Sequence, residues 1–213
     1  VSASCSVLAI SVNMGKWFWL CYLRNPGKIV VVDTTGNRRS NLILIGFMGT
    51  GKTCVGQRVA KSLGFRFVDT DALIVKKAGK PIAAIFEESG EDAFRELETA
   101  VLQSCASKEN QVISTGGGIV TRPENIEILR NTGYVIWLRA SVETILERTG
   151  RNNDRPLLAT PDPAATVRKL MGDREELYRS AAHLPISTDD LTLDETTYGV
   201  AESARLEFAA CRS

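Results

Sequence analysis

A chain of 213 residues is long enough for one well-buried α/β domain but short for two, so its length predicts a single domain. Its 44% hydrophobic and 24% charged residues are ordinary values for a globular protein and argue against a mainly disordered chain. Its 26 basic and 25 acidic residues leave a formal charge of +1, which gives no general attraction for nucleic acid or an anionic membrane, so we expect neither partner.

The first 40 residues differ from the rest of the chain, and we interpret them as an extension without an assigned structure. Charged residues interrupt their apolar stretches, so none reaches the roughly 18 residues of a membrane span, and no secretory cleavage pattern follows. An added strand over 28–33 and a true beginning at Met14 are open alternatives. The five widely spaced cysteines have no metal-site spacing and favour reduced thiols in the cytoplasm.

From residue 41 onward, short apolar runs alternate with helical periodicity, which is typical of βαβ units around a parallel sheet. The predicted strands are 42–45, 65–68, 112–114, 134–138 and 184–186. The predicted helices are 52–63, 72–78, 82–88, 92–107, 123–130, 142–148, 163–182 and 196–210. We therefore expect one α/β domain over 41–213.

The first strand leads into GFMGTGKT at residues 46–53, which fits G-x-x-x-x-G-K-[ST] in the strand, loop and helix context of a P-loop. The glycines allow backbone N–H groups to surround phosphate oxygens, and the helix N-terminus adds positive potential. Lys52 is the predicted partner of the β- and γ-phosphates, and the Thr53 hydroxyl is the predicted Mg²⁺ ligand. The motif does not name the phosphoryl acceptor, because many kinases, ATPases and GTPases share it.

The second strand is followed by Asp69, Thr70 and Asp71, at the edge of the sheet where ligands of open α/β folds bind. A carboxylate at this edge accepts the proton of an attacking hydroxyl, and we assign that role to Asp71. Asp69 is assigned to the Mg²⁺ and water shell. Asp71 also fits a helix N-cap, because it precedes Ala72.

Two arginines are candidates for binding a substrate carboxylate. Arg95 lies early in helix 92–107 and Arg174 lies within helix 163–182, where a solvent-exposed ion pair with Glu175 or Glu176 is the alternative. The strand at 112–114 is followed by Gly116, Gly117 and Gly118, which either expose N–H groups to a ligand or form a flexible loop.

The segment 150–162 is polar and basic, which predicts a mobile lid that closes over a nucleotide, with a solvated linker as the alternative. Arg155 within it would bring positive charge to the transferring phosphoryl group.

These motifs, GFMGTGKT, DTD, FRELE, STGGG, RPLL and RxxLY in this order, resemble shikimate kinase from residue 41 to the last helix. The resemblance implies a three-layer αβα P-loop kinase of the nucleoside-monophosphate-kinase type, with a five-stranded parallel sheet and a mobile lid. It implies ATP and Mg²⁺ as cofactors and shikimate as the substrate. We expect a monomer.

The resemblance also implies roles for particular residues. Shikimate would contact Asp71, the three glycines and the two arginines, with its carboxylate between Arg95 and Arg174. ATP would be bound by Gly49, Thr50, Gly51, Lys52, Thr53 and Cys54, together with Arg148 and Arg155. Many members have Ser or Thr where Cys54 stands, and some have a basic residue near adenine where this chain has Ser187, Thr188, Asp189 and Asp190; Arg148 is the alternative contact for the base.

The catalytic set implied by this reading is Lys52, Asp71 and Arg155. A related metabolite kinase, such as one acting on gluconate, is the alternative within enzymes, because it shares the P-loop and lid. A non-catalytic nucleotide-binding module is the alternative outside enzymes, although Lys52, Thr53, Asp71 and Arg155 are all present.

Overall fold

The computed structural model describes residues 40–150 and 162–210. Its strands are β1 (Asn41–Ile45), β2 (Arg66–Asp69), β3 (Gln111–Ser114), β4 (Gly133–Arg139) and β5 (Leu184–Ser187). Its helices are α1 (Lys52–Leu63), α2 (Thr70–Ala78), α3 (Ile82–Ala106), α4 (Pro123–Thr132), α5 (Val142–Thr149), α6 (Pro163–Ala181) and α7 (Leu193–Ala210). A short 3₁₀ turn, Ile119–Thr121, precedes α4.

The predicted α/β class is confirmed, and each strand begins and ends within one residue of its predicted limits. The helices predicted over 82–88 and 92–107 form one helical run, α3, whose backbone leaves the helical region only at Gly90, with φ 79° and ψ 176°. Residues 1–39 of the predicted extension 1–40 and most of the predicted lid, including Arg155, lie outside the described residues.

All strand pairs are parallel, and the order across the sheet is β2-β3-β1-β4-β5. The central strand β1 pairs with β3 on one side and β4 on the other, so that Ile43 lies between Ile113 and Val135. Because parallel strands all end at the same edge, the segments that follow β1, β2, β3 and β4 meet there. This edge brings the predicted site residues together.

Helices cover both faces of the sheet. Leu42 and Leu44 of β1 pack on one face among apolar residues of α1 and α7, whereas Ile43 and Ile45 pack on the other among those of α3, α4 and α6. Burial of each such side chain contributes about 1.5–3 kcal/mol, which makes β1 a rigid base for the loop after it. No helix in residues 40–150 or 162–210 is both long and apolar enough to cross a bilayer.

A third apolar cluster joins the P-loop to the helices on either side of the predicted lid. Phe47 packs with Ala140 after β4, Ile145 of α5 and Val167 of α6. The P-loop is therefore anchored to α5 and α6 as well as to the sheet.

Candidate active site

The P-loop spans the connection from β1 to α1. A Cβ at Gly46 would lie 2.3 Å from the carbonyl oxygen of Leu138, so only glycine allows this close approach to β4. Gly51 has φ 90° and is the N-cap of α1, in the left-handed region that favours glycine. Thr50 donates from Oγ1 to the carbonyl oxygen of Phe47 at 2.8 Å. The sequence therefore forms the tight loop that the motif predicts.

Lys52 is buried at the first position of α1, with a side chain that crosses the loop. Its Nζ donates to the carbonyl oxygens of Gly46 at 2.7 Å and Phe47 at 2.8 Å. An ammonium held against the P-loop backbone is positioned to meet phosphate oxygens that enter the same loop.

Asp69 connects the P-loop helix to α2. Its Oδ2 accepts from Thr53 Oγ1 at 3.1 Å, and its Oδ1 accepts from the N–H groups of Asp71 and Ala72 at 3.1 and 3.3 Å. Asp69 is thus the N-cap of α2, and the alternative that Asp71 caps this helix is wrong. The reason is that α2 begins at Thr70, which leaves the Asp71 side chain in the first turn.

The Asp71 carboxylate lies against the glycine loop that follows β3. A Cβ at Gly116 would lie 2.7 Å from Asp71 Oδ1 and 2.8 Å from Glu98 Oε1. The Gly116 N–H donates to Thr70 Oγ1 at 3.2 Å, which ties the loop to the start of α2. The edge of the sheet therefore places a half-buried carboxylate next to the buried start of the loop that follows β3.

Arg95 is buried, with 9% of its surface exposed, rather than lying on an ordinary surface helix. Its guanidinium donates to Glu91 Oε1 from Nε at 3.2 Å and from Nη2 at 2.9 Å, and Nη1 donates to Glu98 Oε2 at 3.0 Å. A Cβ at Gly118 would lie only 2.1 Å from Arg95 Nη1. The glycine thus leaves room for a guanidinium that two carboxylates hold in place.

Glu98 is a residue that the sequence analysis missed. It is fully buried, and this burial is the main reason that the pKa of its carboxyl is raised. The negative charge of Asp71 also raises this pKa, whereas the adjacent Arg95 lowers it. Arg174 also lowers the pKa of Glu98, so the two predicted arginines and Asp71 surround one carboxylate. The i,i+3 spacing of Arg95 and Glu98 within FRELE is the signal that could have found this pair.

Arg174 lies on the same loop from the opposite side. Its Nη1 donates to the carbonyl oxygen of Gly117 at 3.3 Å, and its guanidinium carbon is 5.8 Å from the centroid of the Phe47 ring. The alternative of an ion pair with Glu175 or Glu176 is wrong, because both carboxylates pair with Arg179. Arg174 therefore faces the glycine loop and the start of the P-loop.

Tyr178, one turn beyond Arg174, is the second contact that the sequence analysis missed. Its hydroxyl donates to the carbonyl oxygen of Gly117, and its ring stacks on Trp137 with the centroids 5.5 Å apart. Burial raises the pKa of Tyr178 to about 12, so the hydroxyl remains a donor at neutral pH. Two donors on α6 thus hold one carbonyl of the glycine loop.

Arg148 lies on the other side of the P-loop, near the end of α5. It donates to the hydroxyl and carbonyl oxygens of Thr188 at 3.0 and 2.8 Å and to the carbonyl oxygen of Gly49 at 3.4 Å. The guanidinium therefore connects the P-loop with the segment after β5, the region proposed for the base.

The thiol of Cys54 is exposed on α1, next to the predicted phosphate site.

The sequence model of the shikimate kinase family matches residues 48–204 of this chain. A shikimate kinase of Caldanaerobacter subterraneus subsp. tengcongensis is 48% identical over 73% of the chain and 90% of that relative. A shikimate kinase of Symbiobacterium thermophilum is 46% identical over 76% and 94%. The structure of a shikimate kinase from Acinetobacter baumannii in complex with shikimate has a TM-score of 0.75 and 39% identity, and it covers 78% of this chain and 93% of that chain.

Proposed function

Because this chain belongs to the shikimate kinase family, and is therefore an enzyme that transfers a phosphoryl group from ATP to shikimate, we propose that the residues at its sheet edge perform that transfer. The product is shikimate 3-phosphate, in the pathway to chorismate and the aromatic amino acids. The alternative of a gluconate kinase is not favoured by these relatives. The observation that carries the assignment of residues is the meeting of Asp71, Arg95 and Arg174 around Gly116–Gly118, beside the P-loop.

The acceptor acid would lie against the glycine loop. The guanidinium groups of Arg95 and Arg174 supply the donors for its carboxylate, since planar guanidinium groups match a carboxylate in geometry and charge. The backbone of Gly116, Gly117 and Gly118 leaves space for the ring. The 3-hydroxyl would then face the Asp71 carboxylate, which orients it and accepts its proton as the new bond to phosphorus forms.

The nucleotide would lie on the P-loop, with Gly49, Thr50, Gly51 and Cys54 giving backbone N–H donors to its phosphates. Lys52 would exchange its hydrogen bonds with the loop carbonyls for phosphate oxygens. Arg148 would lie beside the base, and Arg155, outside the described residues, would approach the phosphates from the lid. These groups stabilise negative charge, which accounts for most of the acceleration in phosphoryl transfer.

Mg²⁺ fits the pair formed by Thr53 and Asp69. Their oxygen atoms lie 3.1 Å apart at the mouth of the P-loop, and hydroxyl and carboxylate oxygens are the ligands that Mg²⁺ prefers. Thr53 would bind the ion directly, and Asp69 would hold its water shell. When bound, the ion neutralises charge on the nucleotide phosphates. Within 40–150 and 162–210 there is no cluster of three acidic, Cys or His side chains for a metal, so phosphates would complete the coordination.

We further propose that the protein acts as a monomer in the cytoplasm. The thiols of Cys54 and Cys105 are free, which supports a reducing compartment.

Replacement of Asp71 by Asn tests the assignment. Turnover should fall at least about a hundredfold, while the affinity for a nonhydrolysable ATP analogue stays within about twofold, because only the proton acceptor is lost. Asp92→Asn, an exposed neighbour on α3, is the control. The assay couples ADP release to NADH oxidation with shikimate, gluconate and nucleoside monophosphates as acceptors. Undiminished turnover in the Asp71 variant would remove this residue from the mechanism, and shikimate binding without turnover would favour the non-catalytic alternative.

A further inference from the structure

A cavity of about 250 Å³ lies between the end of β4 and the middle of α6. Its walls include the rings of Phe47, Trp137 and Tyr178. Among the described residues, its lining includes neither Lys52 and Asp71 nor the acceptor-side arginines. Thr50 is the one residue of the proposed ATP site among the described lining residues, so the cavity adjoins the P-loop but lies beside the proposed sites for ATP and shikimate.

One face of α6 forms a wall of the cavity, through Arg168, Met171, Gly172, Glu175 and Tyr178. Because these positions follow an i, i+3, i+4, i+7, i+10 pattern, their Cα–Cβ directions share one side of the helix. Gly172 lies at the centre of this stripe, in the interior of a helix of 19 residues, where glycine is unfavourable.

Close packing does not explain the glycine at position 172. A Cβ there would meet no heavy atom within 4 Å, in contrast to Gly116 and Gly118, where a Cβ would collide with charged side chains. A Cβ would therefore fit at position 172, and a side chain there would start from the face of α6 that lines the cavity. The effect of glycine here is to leave that space open.

The mouth of the cavity carries more positive than negative charge. The guanidinium carbon of Arg139 lies 4.7 Å from the centroid of the Trp137 ring, and its Nη2 lies 3.6 Å from Glu175 Oε1. Glu175 is closer to Arg179, at 3.0 Å, so Arg139 can turn toward a ligand while this carboxylate keeps a partner. Arg168 is 61% exposed and reaches Glu143 only at 4.0 Å.

We propose that this cavity binds a small carboxylic acid with a single aromatic ring. The ring takes the place of the Arg139 guanidinium against Trp137, and the carboxylate is bound by Arg168 and by Arg139 once it has turned away from that ring. The size is suitable, because an apolar cavity of about 150 Å³ in another protein holds benzene, and this one is larger by the space of a carboxylate.

An occupant would influence the acceptor site through two side chains. Tyr178 donates to the carbonyl oxygen of Gly117, and the Phe47 ring lies beneath Arg174. Binding therefore changes the KM for shikimate more than the KM for ATP. This consequence depends on the proposed function, whereas binding itself does not.

Titration calorimetry on the full chain tests the binding, with benzoate, benzamide and acetate as probes. We expect benzoate to bind with a millimolar or lower Kd, and the neutral amide and the ringless acid to bind at least about tenfold more weakly. Benzoate should still bind when shikimate is saturating. Arg139→Gln and Arg168→Gln should each weaken it about tenfold.

Gly172→Leu should abolish benzoate binding by filling the cavity. Its matched control is Gly199→Leu on α7, another helical glycine where a Cβ would meet nothing within 4 Å. Thermal unfolding checks that both leucine variants fold. If Gly172→Leu does not fold, the benzoate affinities of Arg139→Gln and Arg168→Gln test the proposal instead. Three results would each overturn the proposal. They are benzoate binding that persists in Gly172→Leu, benzoate binding that disappears when shikimate is saturating, and no detectable benzoate binding to the parent protein. Calorimetry needs no turnover, so its result is independent of whether the kinase assignment holds.

Discussion

The hydroxyl of Tyr178 donates to the carbonyl oxygen of Gly117, and so links the middle of α6 to the glycine loop after β3. Arg174, one turn earlier on the helix, donates to the same oxygen at 3.3 Å. The loop proposed to face the substrate ring is therefore positioned by the same helix that carries Arg174, which is proposed to bind the substrate carboxylate. Interactions of this kind make the position of α6 important for acceptor affinity.

Tyr178→Phe should raise the KM for shikimate about two- to tenfold, because a hydrogen bond between neutral groups contributes about 0.5–1.5 kcal/mol. The KM for ATP should change less than twofold, since the P-loop contacts are not altered. Tyr198→Phe is the control, because Tyr198 is 70% exposed on α7. Steady-state kinetics with each substrate varied in turn would check this, and a change confined to the KM for ATP would contradict it.

The same tyrosine should make the protein less stable in alkali. Burial raises its pKa to about 12 in the folded state, from an ordinary value near 10. The folded state then holds a proton that the unfolded state loses, so the stabilising effect is complete below pH 10 and is lost as the pH rises to about 12. Denaturant unfolding at several pH values should show that Tyr178→Phe lowers the slope of stability against pH by up to about 1.4 kcal/mol per pH unit. An identical slope in both proteins would show that Tyr178 does not carry this effect.

Gly118→Ala should weaken shikimate binding more than it weakens the fold. The new Cβ would lie 2.1 Å from Nη1 of Arg95, so the guanidinium would have to move away from its present position between Glu91 and Glu98. We expect the KM for shikimate to rise about tenfold or more, since a charge-assisted hydrogen bond contributes about 1.5–3 kcal/mol.

Gly117→Ala provides the comparison for stability, because its Cβ would meet nothing nearer than 3.5 Å. The melting temperature of Gly117→Ala should stay close to that of the parent protein, whereas that of Gly118→Ala should fall, because moving Arg95 weakens its pairing with the buried Glu98. A large loss of stability in Gly118→Ala, with shikimate affinity retained, would show that Arg95 is not displaced.

Glu98→Gln should reduce acceptor affinity through Arg95. The amide oxygen can still accept from the guanidinium, but the charge that holds it is gone, so the KM for shikimate should rise about tenfold. Turnover at saturating shikimate should stay within about threefold, which distinguishes a positioning role from a catalytic one. Glu96→Gln on the exposed side of α3 is the control. Equal kinetics in the two variants would exclude the role of Glu98.

Thr53→Val should increase the requirement for Mg²⁺. The substitution conserves shape and removes the hydroxyl that donates to Asp69 and would bind the ion. The Mg²⁺ concentration for half-maximal activity should rise at least about tenfold, in assays with ATP held constant and total Mg²⁺ varied. An unchanged Mg²⁺ dependence would assign the ion to other ligands.

The P-loop and the five strands could be predicted from the sequence because their determinants are local. The glycines at 46, 49 and 51, Lys52 and Thr53 are contiguous, and the fully buried strand β1 is a run of apolar residues. Asp71 was found for the same reason, since it directly follows a short strand. The N-cap of α2 was misassigned, because Asp69 and Asp71 are both suitable caps and only the start of the helix at Thr70 distinguishes them.

The sequence by itself determined the fold class, the phosphate-binding loop and the family, because each rests on a continuous pattern. Only the tertiary structure decided that Arg95 is buried between two carboxylates, that Arg174 faces Gly117, and that Glu98 and Tyr178 support them. It also decided where Gly172 leaves a cavity. The physical reason is that burial and the partner of a charge depend on which distant segments the parallel sheet brings to one edge, and no local spacing specifies this.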